Sequence, residues 1–198
     1  MRKLLLGSTL VLGLLHLQAH AEYVPQQQQS TAQQAAQYSR MSVADLQKAA
    51  KAGQPAAQFY LATHYQRGTA GLQKDAKQAF NLFKSAADQG IAAAQLNVGR
   101  MLMEGTGTSK NESLARSYFE KAASHGDNRA SFNLAMMEEQ KKNYMGAYQW
   151  YELSTRDGML DNRVINLSET KKTALAANLT PEQIRQARDR ADQWIQAQ

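Results

Sequence analysis

Cysteine is absent from this 198-residue chain, and proline occurs only three times. Without cysteine the chain can form neither a disulfide framework nor a thiolate metal site, and it cannot carry a lipid on an N-terminal cysteine. Its formal net charge is only +6, and the basic residues are scattered instead of forming an arginine-rich stripe. This pattern does not indicate a nucleic-acid-binding surface. We therefore expect no cofactor, no metal and no nucleic-acid partner.

Long apolar runs are also missing, apart from one near the N-terminus. Two basic residues precede an apolar run over residues 4–17, and Ala19 and Ala21 stand at the two positions that signal peptidase reads. This pattern predicts a signal peptide over residues 1–21, cleaved between Ala21 and Glu22. The run is shorter than the roughly 20 residues that cross a bilayer, which argues against an uncleaved anchor. We expect a periplasmic or secreted product without stable membrane insertion.

The next segment, residues 22–40, is rich in glutamine and poor in apolar side chains. It cannot bury enough surface to offset its ordering entropy, so we predict a flexible segment. Ser42 followed by Asp45 then resembles a capping box, and Gly53 stops the helix that it begins. The sequence over 41–53 resembles the second helix of a repeat, which predicts an N-terminal capping helix.

The remaining chain contains a block of sequence that occurs more than once. Residues 57–90 align with residues 94–126, and the shared positions recur after 36 or 37 residues. The shared residues are Ala57, Gly68, Ala79, Ala86, Ala87 and Gly90, which return as Ala94, Gly105, Ala115, Ala122, Ala123 and Gly126. A period in this range is typical of stacked helix–loop–helix units, which build extended binding surfaces more often than catalytic pockets.

Glycine and helix-capping signals divide this part of the chain into units. We predict repeats over 54–90, 91–126 and 127–158. The third repeat lacks the loop glycines, which predicts a tight turn between Glu139 and Tyr144. Residues 159–198 are predicted to add C-terminal helices, because Thr180 and Pro181 form a clear helix start. The polar outer face of that last helix is typical of a solenoid cap.

Two stretches of each copy resemble a known family. In the first copy they are AQFYLATHYQRG and KDAKQAFNLFKSAADQG, and in the second they are AQLNVGRMLMEGTG and NESLARSYFEKAASHG. They resemble Sel-1-like repeats, which are relatives of tetratricopeptide repeats, over roughly residues 44–158. The resemblance implies an all-α, right-handed α-solenoid of helix–loop–helix repeats with terminal capping helices. It also implies a non-enzymatic adaptor or scaffold for protein complexes, tied in exported bacterial members to the cell envelope. The third copy departs from the pattern, with Ser154 and Thr155 in place of the alanine pair.

The first helix of each unit is expected to line the concave face, and its residues off the core stripe are candidate partner contacts. They are Tyr60, Thr63, His64, Gln66, Asn97, Arg100, Met101, Met103, Asn133, Met136, Met137 and Glu139. Methionine is adaptable and suits a surface that fits a peptide, although the same methionines could instead fill gaps between units. Trp150 and Tyr151 are predicted to be core residues. We expect a monomer that binds a peptide or one face of a protein.

Two further patterns suggest chemistry but lack their companion residues. The histidines His64 and His125 lie in different units without metal-ligand spacing, so we predict no metal site. Ser168 and Lys171 match the S-x-x-K motif of penicillin-interacting enzymes, but the S-D-N and K-T-G motifs are absent. We predict no catalytic residue and no enzyme. A regulator or inhibitor of a peptidoglycan-acting enzyme is the alternative, with a hydrolase as the weaker form of it.

Overall fold

The computed structural model describes residues 36–156 and 161–198. The predicted signal peptide over 1–21 and most of the glutamine-rich segment predicted over 22–40 lie outside these residues. Residues Tyr38–Gln198 form one compact unit. Its described part contains a short helical stretch that ends at Ser39, then nine helices in succession, and no strand. The architecture is the predicted all-α, right-handed α-solenoid.

The helices pack in pairs that follow the repeats. They are α1 (Val43–Lys51), α2 (Pro55–Arg67), α3 (Ala76–Asp88), α4 (Ala92–Glu104), α5 (Glu112–Ser124), α6 (Asn128–Gln140), α7 (Tyr144–Ser154), α8 (Asn162–Ala176) and α9 (Pro181–Gln196). Helices α2 and α3, α4 and α5, and α6 and α7 form the pairs, while α3 on α4 and α5 on α6 join consecutive repeats. Helix α1 packs on α2, and α7 carries both α8 and α9. The two terminal helices are therefore held mainly by α7.

The first two repeats close their loops by the same hydrogen bonds. The side chains of Asp75 and Asn111 each accept a bond from the backbone N–H three residues later, at 2.9 Å, and so cap α3 and α5. The backbone N–H groups of the same two residues donate to the carbonyls of Tyr65 and Leu102, again at 2.9 Å. Short polar side chains are the preferred N-caps because they reach these free backbone donors. The sequence repeat is thus also a repeat of loop geometry.

The N-termini of α9 and α2 are capped in different ways. At α9, Gln183 donates its backbone N–H to the Thr180 hydroxyl at 3.2 Å, and its side-chain oxygen accepts from the Thr180 backbone at 2.8 Å. This is the predicted capping box. Gln54 precedes α2, but its side chain makes no capping bond and instead accepts from the Tyr38 hydroxyl at 2.9 Å. Gln54 thus occupies the N-cap position of α2 through its extended backbone conformation alone, with Pro55 as the first helical residue.

Small residues allow the helix backbones of the first two repeats to approach closely. Gly99 in α4 faces the ring of Phe119, and a Cβ added at this glycine would lie 2.5 Å from the nearest ring carbon. The equivalent residues of repeat 1 are Ala62 and Phe83, and both are buried. Because the interior is close-packed, a larger residue at either small position requires the neighbouring ring to move.

Larger side chains fill the interface between α7 and its neighbours. Trp150 and Tyr151 are buried, as predicted. The Trp150 ring meets that of Trp194 in α9 edge-on, with centroids 4.9 Å apart. Ala187 in α9 is buried as well, whereas Ile195 near the end of the same helix is 46% exposed. The turn that leads into α7 spans only Lys141–Asn143, which agrees with the predicted loss of the loop.

A group of charged side chains also connects α7 to the terminal helices. Glu152 is only 9% exposed; it accepts from Lys172 in α8 at 2.9 Å and from Arg156 at 2.7 Å. Arg156 in turn pairs with Asp192 in α9. Burial alone would raise the pKa of Glu152, but the hydrogen bond from Lys172 and the nearby Arg156 lower it below its ordinary value. The carboxylate is thus held in its charged form at the junction of three helices.

Candidate partner-binding groove

A groove of about 610 Å³ runs along the first helices of the three repeats. It is lined by Phe59, Tyr60, Thr63, Gln66, Arg67, Ala93, Leu96, Asn97, Arg100, Arg129, Phe132, Asn133 and Val164. Val164 belongs to α8; the other residues come from α2, α4 and α6, or directly from their ends. The volume lies within the roughly 300–1,000 Å³ that is usual for ligand sites. We call this site the groove.

The lining residues follow from the helical period and from the period of the repeat. In α2 they occupy positions 59, 60, 63, 66 and 67, a spacing that places them on one face of a helix. Positions 59 and 60 recur as lining residues in both later repeats, and Arg100 is the equivalent of Thr63, so that equivalent side chains lie next to one another. Phe59, Leu96 and Phe132 form one such row, and Tyr60, Asn97 and Asn133 form the next. One surface stripe per repeat thus becomes one continuous groove.

The row of Phe59, Leu96 and Phe132 makes the floor of the groove apolar. The Phe59 ring rests edge-on against Phe83, with centroids 5.6 Å apart, and the Phe132 ring rests likewise against Tyr151 at 5.3 Å. Leu96 is buried. Because each floor residue is supported from below by the core, the floor is preformed.

Polar side chains above the floor are oriented by bonds to their own helices. Asn97 and Asn133 donate from Nδ2 to the backbone carbonyl four residues earlier, at 2.8 and 2.6 Å. Thr63 donates to the carbonyl of Phe59, also four residues earlier, at 2.9 Å. Each asparagine keeps its Oδ1 acceptor and a second Nδ2 hydrogen, the two groups needed to bind a peptide backbone.

The charged residues of the groove are all arginines. Arg129 is held by two bonds to the buried Asp127, at 2.9 and 2.6 Å, and this hydrogen bonding raises its pKa. Arg67 and Arg100 are exposed, and neither forms an ion pair with any described residue. No described carboxylate is among the lining residues. The groove is therefore basic.

Half of the predicted contact residues line the groove. They are Tyr60, Thr63, Gln66, Asn97, Arg100 and Asn133. Met103 and Met136 lie instead at a second, smaller cavity of about 100 Å³, to which Arg100 and Asn133 also contribute. These residues are therefore brought together on one side of the solenoid.

Two predicted contacts belong to the core. Met101 and Met137 are 1% and 4% exposed, so the expectation that both lie off the core stripe is wrong. Each follows a buried alanine, Ala94 or Ala130, by seven residues, and two helical turns return a side chain to nearly the same face. Met137 reaches the floor of the smaller cavity, whereas Met101 fills space between helices, the alternative function considered for the methionines.

Two other predicted contacts, His64 and Glu139, do not line the groove. The Nδ1 of His64 and the hydroxyl of Thr69, in the loop after α2, share a hydrogen bond of 2.9 Å. Glu139 accepts from the Tyr151 hydroxyl at 2.8 Å and from Lys171 at 3.1 Å. Burial opposes ionisation of Glu139, but these two bonds outweigh it and lower its pKa. Both side chains are bonded within the chain and lie outside the groove lining, and their assignment as partner contacts stays a prediction.

Sequence reasoning missed several lining residues. They are Phe59, Arg67, Ala93, Leu96, Arg129, Phe132 and Val164. The repeat register could have identified most of them, since Phe59 and Phe132 each immediately precede a residue that was predicted. No local signal identifies Val164, because its position depends on how α8 folds back towards the first helices.

The residues of the S-x-x-K motif do not form a surface site. Ser168 is fully buried and shares a hydrogen bond of 2.6 Å with Ser154. Lys171 is paired with Glu139. Within residues 36–156 and 161–198, no three His, Cys, Asp or Glu side chains are grouped as metal ligands. In the same ranges none of the helices combines the length and apolar character needed to cross a bilayer.

Comparison with known proteins identifies the repeat. The Sel1 repeat model matches residues 55–91, 92–127 and 128–159, which together make up more than half of the chain. A Sel1 repeat protein from Oxalobacter formigenes is 30% identical, with a TM-score of 0.56 over 66% of this chain and 55% of that one. A protective antigen of uropathogenic Escherichia coli strains with an SLR fold shares the fold, with 24% identity and a TM-score of 0.55. That alignment covers 78% of this chain and 40% of the antigen.

A curated relative matches over a shorter stretch. The chain is 36% identical over 77 residues to the chitin synthase regulator SKT5 of Malassezia restricta. This is 38% of the chain but only 5% of the length of the relative. Proteins built from Sel1 repeats are generally non-catalytic scaffolds for protein–protein interaction. The three matched repeats and the solenoid architecture show that this chain belongs to the Sel1 repeat family.

Proposed function

We propose that this chain is an exported, non-enzymatic scaffold that binds a peptide, or one face of a protein, in the groove. The observation that carries this proposal is the groove itself, in which equivalent residues of three repeats form one preformed surface of about 610 Å³. An apolar floor with a few oriented polar groups is the usual composition of a binding site. Membership of a family of interaction scaffolds supports the same conclusion.

A peptide fits this groove better than a small, compact ligand does. The asparagines repeat along the groove, one each in α4 and α6, and an extended chain presents backbone N–H and C=O groups at similarly regular intervals. The apolar floor lies beside them and can accept alternate side chains of the same chain. Main-chain bonds would then supply affinity, while the floor would supply specificity.

The proposal includes a cellular location. Residues 1–21 have the three parts of a signal peptide, so we propose a monomer in the periplasm, or secreted, without membrane insertion or a nucleic-acid partner. N-terminal sequencing of the protein recovered from a periplasmic fraction should begin at Glu22. Recovery of the uncleaved chain from the membrane fraction would contradict this location without affecting the groove.

Site-directed cross-linking tests the groove. A photoreactive amino acid is placed at Asn97, inside the groove, or at Asn81, an exposed residue of α3 outside it. We expect light-dependent adducts with one identified partner from Asn97 and none from Asn81. The purified partner should then bind at least about tenfold more weakly to an Asn97→Ala/Asn133→Ala variant, since several hydrogen bonds are lost. Equal adducts from both positions, or unchanged affinity, would refute the proposal.

A regulator of a cell-wall enzyme is the second candidate function. The similarity over 77 residues to a relative described as a chitin synthase regulator favours it, because that description is of a protein that regulates a polysaccharide-synthesising enzyme. Adding the purified chain to a peptidoglycan hydrolase should then change the rate of that enzyme. The chain alone should give no cleared zone in a peptidoglycan zymogram, and a cleared zone would instead indicate a hydrolase.

A further inference from the structure

The arginines of the groove lie at three levels along it. Arg67 ends α2, Arg100 lies within α4, and Arg129 is near the start of α6. A partner that crosses the three first helices therefore passes each guanidinium in turn. The buried carboxylate of Asp127 uses part of the hydrogen-bonding capacity of Arg129. The guanidinium groups of Arg67 and Arg100 form no hydrogen bond with any described residue. The five N–H donors of each side chain are therefore available to a ligand.

Nearby carboxylates do not neutralise these two arginines. On α6, Glu138 is paired with Arg116, and Glu139 is bound by Tyr151 and Lys171. Glu104, one turn after Arg100, lines the smaller cavity, and its carboxylate accepts from Thr106 at 3.3 Å. The acidic side chains around the groove are thus directed to other partners. Glu104 has no cationic partner among the described residues, but it does not line the groove, whose lining carries three arginines and no carboxylate, so a ligand with acidic groups would meet a net positive charge.

We propose that the occupant of the groove is an acidic peptide, whose carboxylates bind Arg67 and Arg100 while an apolar side chain lies on Phe59 and Phe132. This inference rests on the proposed function, because it specifies the ligand of the same groove. The planar guanidinium matches a carboxylate with two parallel hydrogen bonds, which favours Asp, Glu or a terminal carboxylate. Charge complementarity selects such a peptide over neutral or basic sequences.

Selection from random sequences tests the chemistry of the ligand first. Octapeptides displayed on phage are selected on the mature full chain and, in parallel, on an Arg67→Gln/Arg100→Gln variant. We expect peptides rich in Asp and Glu, each with an apolar residue, from the unchanged chain only. Enrichment of neutral or basic peptides, or no enrichment relative to the variant, would overturn the acidic inference.

Binding measurements then test the individual arginines. A labelled octapeptide from the selection is compared by fluorescence anisotropy with the same peptide carrying Gln for each Glu and Asn for each Asp. We expect about twofold to fivefold weaker binding for each lost arginine, less than for a buried pair because Arg67 and Arg100 are exposed. Raising the salt concentration should weaken binding of the acidic peptide but not of the neutral one. Arg100→Lys should give an intermediate affinity.

Two controls distinguish failure of the acidic inference from failure of the proposed function. Arg190→Gln removes an equally exposed arginine from α9, outside the groove, and should leave peptide affinity unchanged. Far-ultraviolet circular dichroism must show that each variant is folded. If the neutral peptide binds as well as the acidic one, and Asn97→Ala weakens both, the acidic inference is wrong and the proposed function stands. If the Asn97 cross-link also fails, the groove itself is not the binding site.

Discussion

In repeats 1 and 2 the paired helices are joined by loops over 68–75 and 105–111, and alanines mediate much of their packing. In the third repeat the paired helices are joined by three residues, and α7 packs through Trp150 and Tyr151. The charged group around Glu152 also lies at this end of the chain. The two regions have the same helix–turn–helix plan but different interiors.

The difference follows from what each region packs against. A repeat between two copies meets a surface like its own, and small residues allow close contact without any specific partner. Helix α7 instead meets α8 and α9, which are not copies of the repeat. Aromatic rings and ion pairs fix the position of these helices, because their geometry defines one arrangement. The following substitutions test this comparison, beginning with the largest expected effect.

Glu152→Ala should weaken the C-terminal region most. It leaves Lys172, itself 9% exposed, with only Glu169 as an ionic partner, and breaking a buried pair costs about 3–5 kcal/mol. The chain's two tryptophans, Trp150 and Trp194, both report on this region. In this variant the urea midpoint measured by tryptophan fluorescence should therefore fall further than the midpoint measured by circular dichroism. A Glu152→Leu/Lys172→Met double variant should recover much of the loss. Equal shifts in both signals would show that the two regions unfold together.

Gly107→Ala should destabilise the loop of repeat 2 by about 3 kcal/mol. Gly107 has a φ of 72°, and an added Cβ would lie 2.1 Å from the backbone oxygen of Ala76 in α3. Steric contact with backbone therefore adds to the conformational cost of about 1 kcal/mol for a left-handed alanine. Ala70, the equivalent residue of repeat 1, already has a positive φ of 56°. Ala70→Gly should stabilise the protein by about 1 kcal/mol, because it relieves the left-handed strain of alanine. If urea unfolding gives similarly small changes in stability for Gly107→Ala and Ala70→Gly, the steric argument is wrong.

Acidification should destabilise the third repeat and its flanking helices before the rest. Burial opposes ionisation of Glu138, Glu139 and Glu152, yet their hydrogen-bonded partners lower all three pKa values below the ordinary 4.5. The stabilisation that these carboxylates contribute is therefore present above pH 4.5 and is lost as the pH falls through their lowered values. At pH 3 the urea midpoint seen by tryptophan fluorescence should fall below that seen by circular dichroism. If the midpoints from fluorescence and from circular dichroism coincide at pH 3 as well as above pH 4.5, the prediction is wrong.

His125→Gln should give the smallest effect, a stabilisation of about 1 kcal/mol. In repeat 1, Gln89 donates to the buried Gln58 side-chain oxygen at 2.9 Å. His125 is the equivalent residue of repeat 2, but its Nδ1 is bonded to the Lys121 carbonyl at 2.7 Å. The oxygen of Gln95 is consequently buried without a hydrogen-bond partner in the described structure. The reverse change, Gln89→His, should destabilise by a similar amount. Thermal unfolding of both variants tests these two predictions. Stability changes of the same sign in the two variants would contradict them.

Particular residues show how far the groove could be predicted. Asn97 and Asn133 were found because they are polar, lie one repeat apart and fall outside the alanine stripe. Arg129 was missed because it precedes the aligned alanine by one residue and belongs to a helix start. Met101 and Met103 could not be separated by residue type, since only the rotation of α4 against α5 buries one and leaves the other partly exposed.

The sequence by itself determined the helices, their order and the repeat register. These properties depend on capping residues, glycine positions and apolar spacing, which act within one or two turns of the chain. Only the tertiary structure decided which side of α2, α4 and α6 stays open, and that Val164 of α8 reaches the groove. The angles between packed helices set both features, because small rotations decide which side chains are enclosed. Those angles arise from whole interfaces, those of α2, α4 and α6 with their paired helices and that of α8 with α6 and α7, which no local pattern contains.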